Sequence, residues 1–247
     1  MMVYFSATGN CRYVARQIAE SLNDSTKSLL DINEINLSNG ETLGFVFPTY
    51  FWGLPSIVDE LLSKLTISKS GDNYVFHVAT YGTTSGQNAK YVERHLKNKG
   101  IALNAKFAVK MPDTWTPTFD LSNPDEVMKL NQDEKPQIEE IINHVNNRDN
   151  GDFIKSHIPM IACKFAQIIY NKKRNTSHLH VEDTCIGCGL CSKNCPIEAI
   201  EITDKKPVWV KDKCVMCLKC LHHCPKFSIQ YDERTKNHGQ YHHPKKV

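Results

Sequence analysis

The chain has 247 residues, a length that suits one or two domains, and its formal net charge is +3. It contains no apolar run long enough for a transmembrane helix, and its first residues do not resemble a secretory signal peptide. Acidic residues are in excess over residues 1–150 and basic residues over residues 151–247, so the two parts carry opposite net charges.

The first 110 residues alternate short apolar runs with helical patterns, which is typical of an α/β sheet. The predicted strands are Met2–Phe5, Lys27–Leu30, Leu43–Phe47, Tyr74–Thr80 and Ile101–Val109. The predicted helices are Asn10–Leu22, Leu54–Leu65, Gln87–Lys99 and Asp125–Asn146. Pro136 predicts a kink or break in the fourth helix, because proline cannot donate the backbone hydrogen bond there. These elements predict a doubly wound, parallel, five-stranded sheet within residues 1–150.

A hydroxyl-rich turn follows the first predicted strand and opens the first helix, with the sequence Ser6-Ala7-Thr8-Gly9-Asn10-Cys11. Backbone N–H groups and the helix dipole attract an anion at such a position. The Gly-x-Gly-x-x-Gly pattern of dinucleotide-binding folds is absent, so the turn favours a mononucleotide phosphate site. The alternative is an ordinary α/β turn without a ligand.

Two further loops follow the third and fourth predicted strands, with the sequences Pro48-Thr49-Tyr50-Phe51-Trp52-Gly53 and Thr80-Tyr81-Gly82-Thr83-Thr84-Ser85-Gly86. In the strand order 2-1-3-4-5, the carboxyl ends of strands one, three and four surround one crevice. Trp52, Tyr50 and Tyr81 are candidates to stack on a planar cofactor there, with ordinary packing as the alternative. Trp115 can reach the same crevice, but a core-capping position is expected for it.

These three loops resemble the flavodoxin family over residues 1–150, whose phosphate loop reads Ser/Thr-x-Thr-Gly-x-Thr/Ser. The resemblance implies FMN in the crevice. The FMN-binding residues that it implies are Ser6, Ala7, Thr8, Gly9, Asn10, Cys11, Pro48, Thr49, Tyr50, Phe51, Trp52, Gly53, Thr80, Tyr81, Gly82 and Gly86. Cys11 departs from the family pattern, which has a hydroxyl residue at that position. Since a thiol is a weak donor, Ser6, Thr8 and main-chain N–H groups are expected to carry more of the phosphate shell.

Residues 151–176 are predicted to form a linker that contains a short amphipathic helix at Ile158–Tyr170, followed by a basic stretch at residues 171–175. The helix is too short to span a bilayer. Two interpretations remain. Its apolar face joins two domains, or it lies on a membrane surface with the basic stretch near the headgroups.

Two cysteine runs of identical spacing dominate residues 177–231. The first run is Cys185, Cys188, Cys191 and Cys195, and the second is Cys214, Cys217, Cys220 and Cys224, each followed directly by proline. This is the bacterial spacing for 4Fe–4S clusters, in which the cysteine before proline ligates the cluster of the other run. One cluster would therefore take Cys224 with the first three cysteines, and the other would take Cys195 with Cys214, Cys217 and Cys220. Zinc ribbons and secreted disulfide frameworks use different arrangements.

The two runs are halves of an internal repeat, in which Asp183-Thr-Cys-Ile-Gly-Cys matches Asp212-Lys-Cys-Val-Met-Cys. The repeat resembles the bacterial two-cluster ferredoxin, a small α+β domain, and short strands at Leu179–Val181 and Ile229–Tyr231 are expected to close it. A flavodoxin-like domain followed by such a ferredoxin resembles the flavodoxin–ferredoxin fusion proteins of anaerobic bacteria and archaea. That resemblance implies electron transfer but leaves the partners undefined.

No metal site is predicted at the remaining histidines. His222 and His223 are expected to be exposed loop residues, with a hydrogen bond to cluster sulfur as the functional alternative. Residues 232–247 are expected to be a tail that contains His238, His242 and His243 without a metal-binding partner. Cys11 and Cys163 are expected to be free thiols, which favours a cytoplasmic location in an anaerobe.

The sequence therefore predicts a cytoplasmic iron–sulfur flavoprotein with FMN and two 4Fe–4S clusters, whose partners are other redox proteins. The negative charge of thiolate-bound clusters offsets the basic excess of residues 151–247, which argues against nucleic-acid binding. A homodimer remains open, and so does enzymatic activity. Three functions stay open: an electron carrier, an FMN-dependent reductase of a small substrate fed by the clusters, and a redox-sensing interaction module.

Overall fold

A six-stranded parallel sheet forms the centre of residues 1–152 in the computed structural model, which describes residues 1–244. The eight strands of this part are β1 (Met2–Tyr4), β2 (Thr26–Ser28), β3 (Glu34–Leu37), β4 (Thr42–Pro48), β5 (Thr66–Lys69), β6 (Tyr74–Tyr81), β7 (Ala105–Lys110) and β8 (Gly151–Asp152). The central sheet has the order β2-β1-β4-β6-β7-β8, and β3 and β5 form a separate parallel pair.

Four helices cover the two faces of the sheet: α1 (Asn10–Ser21), α2 (Ser56–Lys64), α3 (Asn88–Lys97) and α4 (Pro124–Asn146). Apolar residues of α1 and α4, such as Val14 and Ile141, are buried against one face. Residues of α2 and α3, such as Leu62 and Val92, are buried against the other. The predicted doubly wound fold is confirmed. The sheet has one strand more than expected, because Gly151 and Asp152 pair with β7.

Two predicted strands and one predicted helix differ notably from the sequence prediction. The second strand ends at Ser28, whose hydroxyl accepts the Leu30 N–H and starts a 3₁₀ turn at Leu29–Asp31. The fifth predicted strand begins at Ala105, because the side-chain oxygen of Asn104 accepts a hydrogen bond from the backbone N–H of Val75. Helix α4 continues through Pro136 without a break.

Helix α5 (Met160–Lys173) follows the α/β part and corresponds to the predicted linker helix. Cys163, Ala166 and Tyr170 are buried on its inner face. Its outer face carries apolar side chains that are more than half exposed, namely Ile161, Phe165, Ile168 and Ile169. Within residues 1–244, no helix has both the length and the apolar character needed to cross a membrane.

The cysteine-rich part is built from short elements: β9 (Leu179–Val181), α6 (Leu190–Lys193), β10 (Ile200–Thr203), β11 (Lys206–Trp209), α7 (Lys219–His222) and β12 (Ile229–Tyr231). The antiparallel pair of β9 and β12 lies where the sequence predicts it. An additional hairpin of β10 and β11 joins the two cysteine runs.

The cysteine-rich part packs directly on the α/β part. Val215 is buried in the apolar cluster that α2 and α3 form on the sheet, and Trp115 meets Tyr231 edge to face at 5.3 Å between ring centroids. Residues 232–244, here called the return segment, lead from β12 back to the turn after β1. Residues 232–247 are expected from the sequence to form a tail, of which residues 245–247 lie outside the described residues, yet Tyr241 and His243 are buried.

Candidate functional site

A cavity of about 640 Å³ opens at the carboxyl edge of the central sheet. The ends of β1, β4, β6 and β7 contribute to its wall, together with α5 and the second cysteine run. All the residues predicted to bind FMN line this cavity except Gly9, Gly53 and Gly86. Its volume lies in the usual range for a small-molecule or cofactor site.

The turn at Ser6–Asn10, where the sequence predicts a phosphate site and which is here called the phosphate loop, lies at the cavity beside β1. Gly9 precedes α1 with φ 106, a conformation that side-chain-bearing residues rarely adopt, and its N–H donates to the Ser6 hydroxyl at 3.1 Å. Ser6 and Thr8 line the cavity at the N-terminus of α1, whose first turn has no acidic residue. Hydroxyls at the start of a helix whose first turn has no acidic residue fit a phosphate group.

Cys11 and Asn10 are engaged in the protein interior. The Cys11 sulfur lies 3.0 Å from the Thr80 hydroxyl, and burial raises the pKa of this thiol to about 12. The Asn10 side-chain oxygen accepts the hydroxyl of Tyr241 at 2.8 Å. Cys11 therefore stabilises the contact between α1 and β6 as a neutral thiol.

The loop after β4 is a tight turn in which Tyr50 and Gly53 exchange two backbone hydrogen bonds of 2.9 and 3.0 Å. Phe51 and Trp52 at its centre have φ values of 45 and 63, which is unfavourable for bulky residues. Gln167 of α5 holds the turn by donating to the carbonyls of Tyr50 and Phe51 at 2.7 and 2.9 Å. A strained turn fixed by a second element often marks a ligand site.

Several aromatic side chains line the cavity, among them Trp52 and Tyr81. Phe51 also lines it, and in addition stacks on Tyr170 at 5.6 Å and meets Trp115 edge to face at 5.5 Å. The expected core-capping position does not describe Trp115 fully, because this residue lies between the cavity and Tyr231 of the cysteine-rich part. The set around Phe51 therefore forms the boundary between the two parts of the chain.

Asp113 is a cavity residue that the sequence analysis did not select. Its carboxylate accepts the Thr83 hydroxyl and the Trp115 N–H, both at 3.1 Å, and burial raises its pKa. Asp113 follows β7, and the rule that carboxyl ends of parallel strands meet at one edge could have identified it.

The eight cysteines of the two runs lie around two small cavities. Cys195 lines one with Cys214, Cys217 and Cys220, and Cys224 lines the other with Cys185, Cys188 and Cys191. The structure thus brings together the crossed sets that the motif predicts. Backbone N–H groups of Ala199, Met216 and Ser228 donate to the sulfurs of Cys195, Cys214 and Cys224, each at 3.2 Å. Four thiols around a cavity with N–H donors to sulfur fit a 4Fe–4S cluster.

Three thiols of the second run, those of Cys214, Cys217 and Cys220, are desolvated. Burial raises the pKa of Cys214 to about 11 and that of Cys217 to about 12. Thiolates at these positions therefore need a bound cation for compensation, which iron would supply. No three His, Cys, Asp or Glu side chains of residues 1–244 are grouped closely enough for a single metal ion.

The expectation that His222 is an exposed loop residue is wrong, because its side chain is fully buried. The ring donates from Nε2 to the Thr114 carbonyl at 2.9 Å and accepts the Tyr241 N–H at Nδ1 at 3.2 Å. Burial lowers its pKa to about 4. Both ring nitrogens are engaged in contacts with the α/β part and the return segment, so His222 joins these parts. His223 is half-buried and meets His242 edge to face.

Two family models match the chain: a flavodoxin domain over residues 1–138 and a 4Fe-4S dicluster domain over residues 178–235. No curated protein matches significantly. Among solved structures, the rubredoxin oxygen:oxidoreductase of the anaerobe Desulfovibrio gigas is similar at 15% identity and a TM-score of 0.33, over 60% of this chain and 36% of that one. The Trp repressor binding protein of Bacillus subtilis is similar at 10% identity and a TM-score of 0.34, over 61% and 98% of the two chains.

The chain thus spans little more than a third of the Desulfovibrio protein. The flavodoxin model, in contrast, covers more than half of the present chain and coincides with the doubly wound sheet that carries the cavity. The dicluster model coincides with the two crossed cysteine sets. The protein therefore belongs to the flavodoxin-domain family and joins that domain to a 4Fe-4S dicluster domain, as flavodoxin–ferredoxin fusion proteins do.

Proposed function

We propose that this iron–sulfur flavoprotein relays electrons between two 4Fe–4S clusters and one FMN, and exchanges them with other redox proteins. One observation carries the proposal: Met216 and Cys217 of the second cysteine run lie in the wall of the candidate FMN cavity. The same Cys217 lines the cavity that Cys195, Cys214 and Cys220 surround. A cluster ligand and a flavin site that share a wall suit direct electron exchange.

The residues of the cavity support FMN as the flavin. The phosphate loop offers the Ser6 and Thr8 hydroxyls, and Trp52 and Tyr81 offer aromatic surface further along the wall. The flavin is proposed to be the mononucleotide FMN because the turn after strand β1 provides one phosphate loop. Bound FMN would supply the ability to accept electrons in pairs and release them singly.

The protein residues at the boundary hold the second run against the cavity. The Tyr170 hydroxyl donates to the Val215 carbonyl at 2.6 Å, and the Arg174 side chain donates to the Cys214 carbonyl at 2.8 Å. Phe51, Trp115 and Tyr231 pack beside them and reduce the access of water. A dry, fixed boundary limits the structural rearrangement that accompanies a change of charge.

The first run is proposed as the exchange point with partner proteins. Cys188 is exposed, and the neighbouring Ile186 side chain is 59% exposed. Val215 and Met216 of the second run, in contrast, are buried, and Val215 lies in the core of the α/β part. A cytoplasmic location is proposed because cluster assembly needs reduced thiols.

The test is a cofactor and rate measurement on anaerobically purified protein. We expect one FMN, and no FAD, together with about eight irons and eight sulfides per chain. After rapid mixing with dithionite, the absorption of the flavin should change at a rate that does not depend on protein concentration. A rate proportional to protein concentration would show transfer between molecules and refute the internal relay. The variant Cys217→Ala should slow this step far more than Cys163→Ala, a buried cysteine outside both runs.

A further inference from the structure

The return segment connects the second cysteine run to the phosphate loop. The Gln240 side chain of this segment donates to the carbonyls of Leu221 and Cys224 at 2.6 and 2.8 Å. The next residue, Tyr241, donates its N–H to His222 at 3.2 Å. These three bonds attach the segment to the helix and turn that carry Cys220 and Cys224.

The same segment also contacts the phosphate loop, through residues that do not line the cavity. The His243 N–H donates to the Thr8 carbonyl at 2.8 Å, and a Cβ added to Gly9 would lie 2.8 Å from the His243 Cβ. The Tyr241 hydroxyl lies 2.8 Å from the side-chain oxygens of Asn10 and Asn131. The segment therefore touches the loop at three consecutive residues, Thr8, Gly9 and Asn10.

This placement matters because an anion-binding loop must direct its N–H groups and hydroxyls towards the ligand and its carbonyls away. Thr8 lines the cavity, while its carbonyl accepts the N–H of His243, a residue that does not line the cavity. His243 is itself fixed, since its ring stacks on Tyr13 at 4.0 Å and bonds the buried Glu134 at 3.0 Å. A loop held in its binding conformation loses less conformational freedom when the ligand binds.

We propose that Tyr241 and His243 are positioning residues that hold the phosphate loop in the conformation that binds the FMN phosphate, and that Gln240 anchors them to the second cysteine run. This inference rests on the proposed function, because it takes FMN as the ligand of the loop. It assigns a positioning role to residues 240–243, which lie outside both matched domains.

The test compares FMN with riboflavin, which has the same ring system but no phosphate. Full-length protein with its clusters loaded is freed of flavin and titrated with each compound by flavin fluorescence. Tyr241→Phe should weaken FMN binding about fivefold, as expected for one lost hydrogen bond, and leave riboflavin binding unchanged. Gln240→Ala should act in the same direction. The control Tyr74→Phe loses a hydroxyl bond to the Asp149 carbonyl, and its FMN affinity should equal that of the wild type.

The iron content of each variant shows whether the cysteine-rich part is intact. The inference is overturned if Tyr241→Phe binds FMN as tightly as the wild type, or if FMN and riboflavin weaken by the same factor. An unchanged FMN affinity in Gln240→Ala would refute the anchoring role. Wild-type protein that does not prefer FMN to riboflavin would instead refute the proposed function, so the two failures are distinguishable.

Discussion

At the scale of single residues, Cys224 tests whether the crossed sets hold clusters. It lies with Cys185, Cys188 and Cys191, although it belongs to the other run in sequence. We expect Cys224→Ala to lose the cluster of the first run and to retain about four irons per chain, measured by iron and sulfide analysis and by spectroscopy. Cys163→Ala is the control and should keep the full content. Loss at Cys214–Cys220 instead would contradict the crossed arrangement.

Thr8 tests the phosphate loop itself. If its hydroxyl bonds the phosphate, Thr8→Ala should weaken FMN binding by about 1–3 kcal/mol, the range for hydrogen bonds to charged groups. The measurement is a fluorescence titration with FMN. Ser21→Ala is a matched control at the other end of α1, where the hydroxyl donates to the Ile18 carbonyl. An unchanged affinity in Thr8→Ala would remove this hydroxyl from the phosphate shell.

Some residue roles could be predicted from the sequence and others could not. The cysteine sets follow from spacing alone, because the motif is local and its chemistry is strict. Burial of His222 and His243 was missed, because their neighbours Thr114 and Glu134 lie more than a hundred residues away along the chain. A short polar tail gives no periodic signal of such contacts.

At the scale of elements, α5 lies at the boundary between the two parts, and its Tyr170 hydroxyl bonds the Val215 carbonyl of the cysteine-rich part. Tyr170→Phe would leave the Val215 carbonyl buried without its hydroxyl partner. We expect the free energy of unfolding to fall by about 1–3 kcal/mol, measured by denaturant titration of the loaded protein.

Tyr231→Phe is the matched control on the same boundary. Its hydroxyl is buried and has no hydrogen-bond partner within residues 1–244. Removal of an unsatisfied buried polar group is neutral or stabilising. Equal destabilisation by the two substitutions would mean that ring packing, and not the Tyr170 hydrogen bond, determines the stability of this boundary.

The regular elements were predictable to the extent that they have a hydrophobic period. Strands β1, β4 and β6 and the first four helices agree closely with the sequence pattern, because each buries a continuous apolar face. Strand β8 has two residues, both exposed, and strand β5 exposes three of its four residues. Such elements form because a neighbouring strand offers hydrogen bonds, and their own sequences do not specify them.

At the scale of the whole molecule, the two parts are held together by more than the linker. Val215 is buried in the α/β core, Gln167 bonds the turn after β4, and the return segment contacts the phosphate loop. We expect protein cut at a protease site introduced after the exposed Lys155 to remain one particle in size-exclusion chromatography, with flavin and iron together.

This expectation changes the interpretation of the linker. The sequence alone suggests that the linker is what keeps the two parts close together, so that separated halves should lose fast electron transfer. The described contacts provide an interface of their own, so cut protein should keep the concentration-independent step. Separation of the halves at moderate salt would contradict this expectation, and uncut protein on the same column is the control.

The path of the return segment also bears on the order in which the protein acquires its cofactors during translation. The ribosome produces the phosphate loop first, but Tyr241 and His243 follow only after both cysteine runs. Although domains generally fold in the order of synthesis, the flavodoxin sheet can form early while its loop still lacks the contacts at Thr8 and Asn10. A nascent chain that stops before residue 240 should therefore retain FMN poorly, and tight flavin retention would begin late, once the cysteine-rich part has emerged.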